Sequence, residues 1–345
     1  MDQKTAINRR IVLASRPEGA PKTENFRLEQ VAKPAPGDGE ILLRTIYLSL
    51  DPYMRGRMSD APSYAQPVNI DEVMVGATVC QIEASRHSGY QPGEWVLASS
   101  GWQDYILSDG SGLKKLGAKP GKPSYALGIM GMPGFTAYVG LLDIGQPQKG
   151  DTLVVAAATG PVGATVGQLA KLKGCRVVGV AGGSEKCTYV RDDLGFDVCL
   201  DHRAEDFAEQ LRAACPDGID IYFESVGGKV FDAVLPLFNI GARIPVCGLI
   251  SRYNATRLPD GPDRLSLLMG HILIKRLKVQ GFIIFDHYDR RYGDFTREMS
   301  HWLDAGSIKY QEQMVEGLEN APQAFIGLLT GQNFGKLVIH VNNAS

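Results

Sequence analysis

The sequence predicts an α/β protein in which a small β-rich domain accompanies a larger, doubly wound parallel sheet. Three observations carry this reading. The chain has 345 residues, more than one hydrophobic core normally serves, so two domains are expected. From Thr152 onward, apolar strand-like runs alternate with helix-period segments, and such βαβ repetition builds a parallel sheet covered on both faces. One of these units, Thr152–Gly174, has a glycine turn between its strand and its helix. The composition, 44% hydrophobic and 21% charged, is that of an ordinary globular protein.

Taken in order, Arg10 to Lys115 reads as short strands punctuated by Pro and Gly: Ile41–Ser49, Val73–Ile82, Glu94–Ala98 and Trp102–Leu107. A helical signal covers Ser124–Leu142. The parallel-sheet strands are expected at Thr152–Ala158, Cys175–Ala181, Asp197–Leu200, Ile219–Glu224, Ala242–Cys247 and Leu277–Phe285. After Gly306 come a strand (Lys309–Val315), a helix (Asn320–Leu329) and a final strand (Lys336–Val341).

The turn reads Ala158-x-Gly160-x-x-Gly163, a dinucleotide fingerprint with Ala in its first place. Gly160 lets backbone approach a pyrophosphate, and Gly163 lets helix and strand pack closely. Pro161 opens the helix, where a missing N–H costs nothing. Val162, Val166, Leu169 and Leu172 form its apolar stripe, and Gly174 stops it. Thr159, Gly160, Pro161, Val162 and Gly163 are therefore candidate cofactor contacts, with the helix N-terminus offering N–H groups to the anion.

The end of the second strand selects between cofactors. NAD sites usually place Asp or Glu there to accept from the ribose 2′-hydroxyl. This chain has Ala181-Gly182-Gly183-Ser184-Glu185-Lys186, with no acid at the strand end itself. Gly182 makes room, Ser184 donates a hydrogen bond and Lys186 faces a 2′-phosphate, so NADP(H) is expected. Two further loops lie at the carboxyl ends of strands, where ligands bind in open α/β sheets. One is Glu224-Ser225-Val226-Gly227-Gly228. The other begins Cys247-Gly248-Leu249-Ile250-Ser251-Arg252-Tyr253-Asn254 and runs on to Pro262. Ser225, Cys247, Gly248, Ile250, Ser251 and Tyr253 are candidates from these loops; Phe282 and Ile283, near the end of the last sheet strand, are two more.

A net charge of -2 gives no reason to expect nucleic acid or an anionic membrane as partner. No apolar run approaches the ~20 residues that span a bilayer, and Met1-Asp2-Gln3-Lys4 lacks a signal-peptide core, so a cytoplasmic location is expected. The six cysteines include no C-x-x-C pair and read as reduced thiols. The six histidines form no ligand-like cluster, so no metal is expected.

Further motifs sharpen the picture: Leu48-Ser49-Leu50-Asp51-Pro52-Tyr53-Met54-Arg55, Gly131-Met132-Pro133-Gly134-Phe135-Thr136-Ala137-Tyr138, Phe223-Glu224-Ser225-Val226-Gly227-Gly228, Cys247-Gly248-Leu249-Ile250-Ser251 and Asn333-Phe334-Gly335-Lys336. With the glycine turn they resemble, over nearly the whole chain, the zinc-independent medium-chain dehydrogenase/reductases. The resemblance is to the branch of leukotriene B4 dehydrogenase/prostaglandin reductases, plant alkenal reductases and bacterial curcumin reductases. It implies a GroES-like catalytic domain made of both chain ends (1–130 and 304–345) and a Rossmann domain inserted between them (131–303). It also implies NADPH held by the glycine turn, Lys186 and the Gly248–Tyr253 loop, with Asn333 reaching in from the C-terminal segment. Where relatives place a tyrosine beside the 2′-phosphate this chain has His202, and where they often have Asn it has Ser225. Zinc-dependent cousins need a Gly-His-Glu segment; here the strand reads Val75-Gly76-Ala77-Thr78.

The activity so implied is hydride transfer from NADPH to the β-carbon of a conjugated enone or enal, curcumin-like compounds included. The resulting enolate needs a hydrogen-bond donor at oxygen and a proton at the α-carbon. A phenol with a pKa of about 10 supplies both. Tyr253 is the first candidate among thirteen tyrosines, with water or the ribose hydroxyl as alternative proton donors. Tyr53 and Tyr64 are expected to line the substrate side, and Arg55 and Arg57 to hold a polar substrate tail. The apolar Leu277–Ile284 edge predicts a homodimer. The rival activities are NADPH quinone oxidoreduction and NADPH binding without turnover.

Overall fold

The computed structural model describes residues 7–118, 120–257 and 264–344. The N-terminal residues weighed above as a signal segment, and Pro262, lie outside them. The chain divides into two compact units. One comprises Met1–Gly128, Glu312–Asn333 and Leu337–Ser345; the other comprises Ile129–Gln311 and Phe334–Lys336.

The first unit opens with an antiparallel pair, β1 (Ile7–Leu13) and β2 (Phe26–Ala32), which the sequence pattern missed. Strand β2 buries only Phe26 on a mostly solvated face, so its alternation is faint. Strand β3 (Ile41–Ser49) is where the pattern put it. Helix α1 (Met54–Arg57) is one turn long and sinks Met54 into the core. Strands β4 (Thr78–Ser85), β5 (Trp95–Ala98), β6 (Tyr105–Ser108) and β7 (Lys114–Gly117) follow. The expected strand from Val73 starts only at Thr78: Val73 makes an isolated bridge to Val12, and the chain then crosses the core at Gly76. A Cβ at Gly76 would lie 2.7 Å from Leu48 Cδ1, which leaves no room for a side chain.

The second unit starts with α2 (Met132–Val139), extended by a wide turn through Gly140–Gly145. Gly140 lies against the rings of Phe223 and Phe282, which a Cβ would meet at 2.6 and 2.7 Å. There follow β8 (Thr152–Ala156), α3 (Pro161–Leu172), β9 (Arg176–Ala181), α4 (Ser184–Asp192), β10 (Val198–Asp201), α5 (Phe207–Ala214), β11 (Ile219–Phe223), α6 (Gly228–Val234), β12 (Phe238–Val246), α7 (Leu265–Lys275), β13 (Lys278–Gly281) and α8 (Tyr288–Asp304). The six strands pair only in parallel, in the order β10-β9-β8-β11-β12-β13. The order reverses between β8 and β11, which is the topological switch where a doubly wound fold opens its ligand crevice. The last strand is shorter than expected, because the chain leaves β13 after Gly281 and turns at Ile284–His287. Leu172, counted in the apolar stripe of α3, is 44% exposed because the helix ends there beyond the sheet.

Strands β14 (Glu312–Glu316) and β15 (Lys336–His340), with α9 (Ala321–Leu329) between them, return to the first sheet. Strand β15 pairs with the second half of β3, whose first half pairs with β6. Phe325 of α9 meets the stacked Phe26–Trp102 pair edge-on and closes that core. Among the described residues no helix is long and apolar enough to cross a membrane.

Candidate active site

In the second unit the parallel sheet brings most of the predicted residues to one edge, the carboxyl ends of its strands. At the end of β8 the chain turns through Ala157, whose φ of 51° is uncommon for a non-glycine residue. The Gly160 amide donates to the Ala157 carbonyl at 2.8 Å, and α3 begins at Pro161. A Cβ at Gly163 would lie 2.4 Å from the Ala157 oxygen, so helix and strand touch there through backbone alone. Thr159 is buried in the turn and Val162 half-buried.

At the ends of β9 and β10 three basic side chains converge. Gly182 leaves a space in which a Cβ would meet Arg203 Nη2 at 3.0 Å and His202 Nε2 at 3.1 Å. Lys186 sits in the first turn of α4, two residues after Ser184. Burial and then the Arg203 charge push the Lys186 ammonium below its ordinary value. His202 is lowered mainly by burial, with Asp201 acting against it and Arg203 and Lys186 reinforcing it. Sequence reasoning missed Arg203, because its approach to Gly182 depends on the pairing of β10 with β9.

The loops after β11 and β12 are tied into one piece. Ile250 and Ser251 donate their amides to the carbonyls of Ser225 and Val226 at 3.1 Å each, and the amides of Cys247 and Gly248 share the Glu224 carbonyl. Glu224, only 2% exposed, braces the first loop from beneath. Its Oε1 accepts from the Val226 and Gly227 amides at 2.7 Å each and from the Tyr222 hydroxyl at 3.2 Å. Burial nevertheless raises the Glu224 carboxyl. Burial and then Glu224 push the Cys247 thiol up to about 12, which keeps it a neutral packing group. Tyr253 folds back over this platform: a Cβ at Gly248 would lie 2.9 Å from its hydroxyl. Phe282 and Ile283 follow β13 at the same sheet edge, with Phe282 edge-on to Phe223 at 6.4 Å.

Tyr53 and Tyr64 lie near each other in the first unit. Burial raises the Tyr53 phenol, helped by Asp51 and Tyr64 and opposed by Arg57. Arg55, expected to hold a substrate tail, is instead buried and donates to the Gly19 carbonyl at 2.8 Å. Asn333 belongs to this unit too; the next residue, Phe334, packs edge-on against Tyr189 of α4 with ring centroids 5.0 Å apart.

Residues 9–116 match the family described as N-terminal domain of oxidoreductase, and residues 161–302 the one described as zinc-binding dehydrogenase. The NADPH-dependent curcumin reductase of Escherichia coli is 67% identical over 341 residues, covering 99% of each chain. Prostaglandin reductase 1 of Rattus norvegicus is 41% identical over 327 residues, covering 93% of this chain and 95% of its own. The chain belongs to the zinc-independent, prostaglandin reductase branch of the medium-chain dehydrogenase/reductases. A crystal structure of CurA from Vibrio vulnificus in complex with NADPH has the same fold, with a TM-score of 0.95 and 68% identity over 97% of this chain and 99% of that one.

The reductase edge fits a phosphorylated dinucleotide by its own chemistry. Gly163 draws α3 close enough for its first turn to face a pyrophosphate, and the basic side chains at Gly182 suit a second phosphate. The Ser225 hydroxyl is buried without a hydrogen-bond partner, a polar group that a ligand would satisfy.

Proposed function

We propose that this protein is an NADPH-dependent reductase of the α,β carbon–carbon double bond in conjugated enones and enals. The observation that carries this reading is the single edge that gathers a phosphate turn, a basic 2′ pocket and a phenol-bearing loop. When bound, NADPH supplies the hydride.

The chain's residues position and protonate. The Glu224-braced loop and the Gly248–Tyr253 loop form the platform for the nicotinamide half. Tyr253 donates a hydrogen bond to the substrate oxygen as charge develops there and holds the proton that the α-carbon acquires. Its support is the hydroxyl's place above Gly248, on the loop that contacts the cofactor platform. Tyr53 and Tyr64, in the first unit, are the further candidates for contact with substrate. Burial raises the Tyr53 phenol and so favours its protonated form.

A homodimer completes this reading. Strand β13 is an edge strand with every residue exposed, and α7 presents Leu265, Leu267, Met269, Leu273 and Ile274 to solvent. An unpaired strand edge beside so many exposed apolar side chains calls for a covering partner. Six free thiols fit a reducing, cytoplasmic location.

Oxidation of NADPH over a panel of alkenals, enones, curcumin and quinones tests the function. Turnover should be fastest with the conjugated carbonyl compounds. Turnover with quinones alone would refute the assignment.

A further inference from the structure

The parallel register of β10 on β9 pairs Asp201 with Ala181, so the residues that follow both strands face each other. The Asp201 carboxylate accepts the Arg203 amide at 3.0 Å and also takes the Gly183 amide, pinning the two turns together. That tie lays the guanidinium along the glycine turn. A Cβ at Gly182 would meet Nη2 at 3.0 Å and Cζ at 3.2 Å, and one at Gly183 would meet Nη1 at 3.8 Å.

We propose that Arg203 is a specificity-determining residue of this reductase, a second cation that with Lys186 recognises the 2′-phosphate of NADPH. The assignment rests on the NADP(H) reading above. Three features support it. The one carboxylate that senses the Arg203 charge, Asp201 among the described residues, is turned to the Arg203 and Gly183 amides rather than paired with the guanidinium. Lys186 and Arg203 lie close enough to repel each other, and a dianionic phosphate between them would relieve that. Burial lowers the His202 imidazole and so disfavours its charged form in the free protein. The Arg203 guanidinium beside it keeps its charge at any working pH. Gly182 is the space that lets both side chains reach the site.

Binding of 2′,5′-ADP and of 5′-AMP to the full-length protein, measured by calorimetry, isolates the 2′-phosphate and involves no turnover. In Arg203→Gln the affinity for 2′,5′-ADP should fall about tenfold or more, the scale of a lost charge-assisted hydrogen bond, while that for 5′-AMP stays the same. Arg203→Lys should retain part of the affinity, and the salt dependence of 2′,5′-ADP binding should flatten in Arg203→Gln. An unchanged 2′,5′-ADP affinity in Arg203→Gln, or an equal loss for both nucleotides, would overturn the assignment. If the wild-type protein does not prefer 2′,5′-ADP to 5′-AMP, the NADP(H) reading itself fails.

Discussion

Glu224 offers the most demanding test of how the cofactor platform is held. One oxygen of this buried carboxylate accepts from two amides and one phenol. Glu224→Ala orphans those donors. The Gly227 amide and the Tyr222 hydroxyl are buried, and each unsatisfied buried donor costs roughly 1–3 kcal/mol. Relief from burying the carboxylate offsets part of that, so the net loss should be about 2–4 kcal/mol. At about 2–4 °C per kcal/mol for a domain of 150–250 residues, Tm should fall by roughly 5–15 °C. NADPH affinity should fall on the order of tenfold, because the loop must then be ordered by the ligand. Glu224→Gln keeps an acceptor oxygen and should rescue most of both effects. The pH dependence has a definite sign. Burial raises the folded-state pKa of Glu224, so its contribution to stability is fully present below the unfolded value and is lost as pH rises through the folded one. Glu224→Gln should therefore gain stability relative to wild type as pH rises from 4 to 7. Thermal unfolding across that range, with calorimetry of NADPH binding, measures both quantities. Wild-type-like Tm and NADPH affinity in Glu224→Ala would refute the brace.

Three other substitutions probe separate parts of the account. Lys186→Glu should shift the NADPH/NADH preference in kcat/KM toward NADH by at least an order of magnitude, since it places a carboxylate beside the 2′-phosphate; an unchanged ratio would exclude Lys186 from that pocket. Tyr253→Phe should lower kcat by roughly 10²-fold or more at unchanged NADPH affinity, the usual scale for a lost general acid; full turnover would assign the proton to water or the ribose hydroxyl. Gly163→Ala puts a Cβ 2.4 Å from the Ala157 carbonyl oxygen, a backbone atom with no freedom to move aside. It should cost about 1–3 kcal/mol in unfolding experiments and weaken NADPH binding; wild-type behaviour in both would show that α3 and β8 have room to part.

The second unit was legible because each βαβ repeat is a local pattern. The run of apolar residues at Thr152–Ala156 and the two glycines at Gly160 and Gly163 state the strand, the turn and the close packing in one stretch of chain. The place of Lys186 in the first turn of α4 was legible for the same reason, a few residues past a strand end. Arg203 was not, since its meeting with Gly182 exists only once β10 pairs with β9 in one register. Glu224 read as part of a glycine loop, because nothing in the sequence says that its carboxylate turns under its own backbone. Arg55 read as a cation for a polar substrate tail, although the one-turn helix that buries Met54 also draws its guanidinium to the Gly19 carbonyl. The β1–β2 pair left little trace because most of β2 is solvated on both faces.

The central claim is that hydride goes to the β-carbon of a conjugated carbonyl compound while the chain supplies the proton at the α-carbon. The direct measurement is turnover of an enone with NADPH deuterated at the transferable position, followed by NMR of the product. The account predicts deuterium on the β-carbon of a saturated ketone. Deuterium on the carbonyl carbon of an allylic alcohol would contradict it.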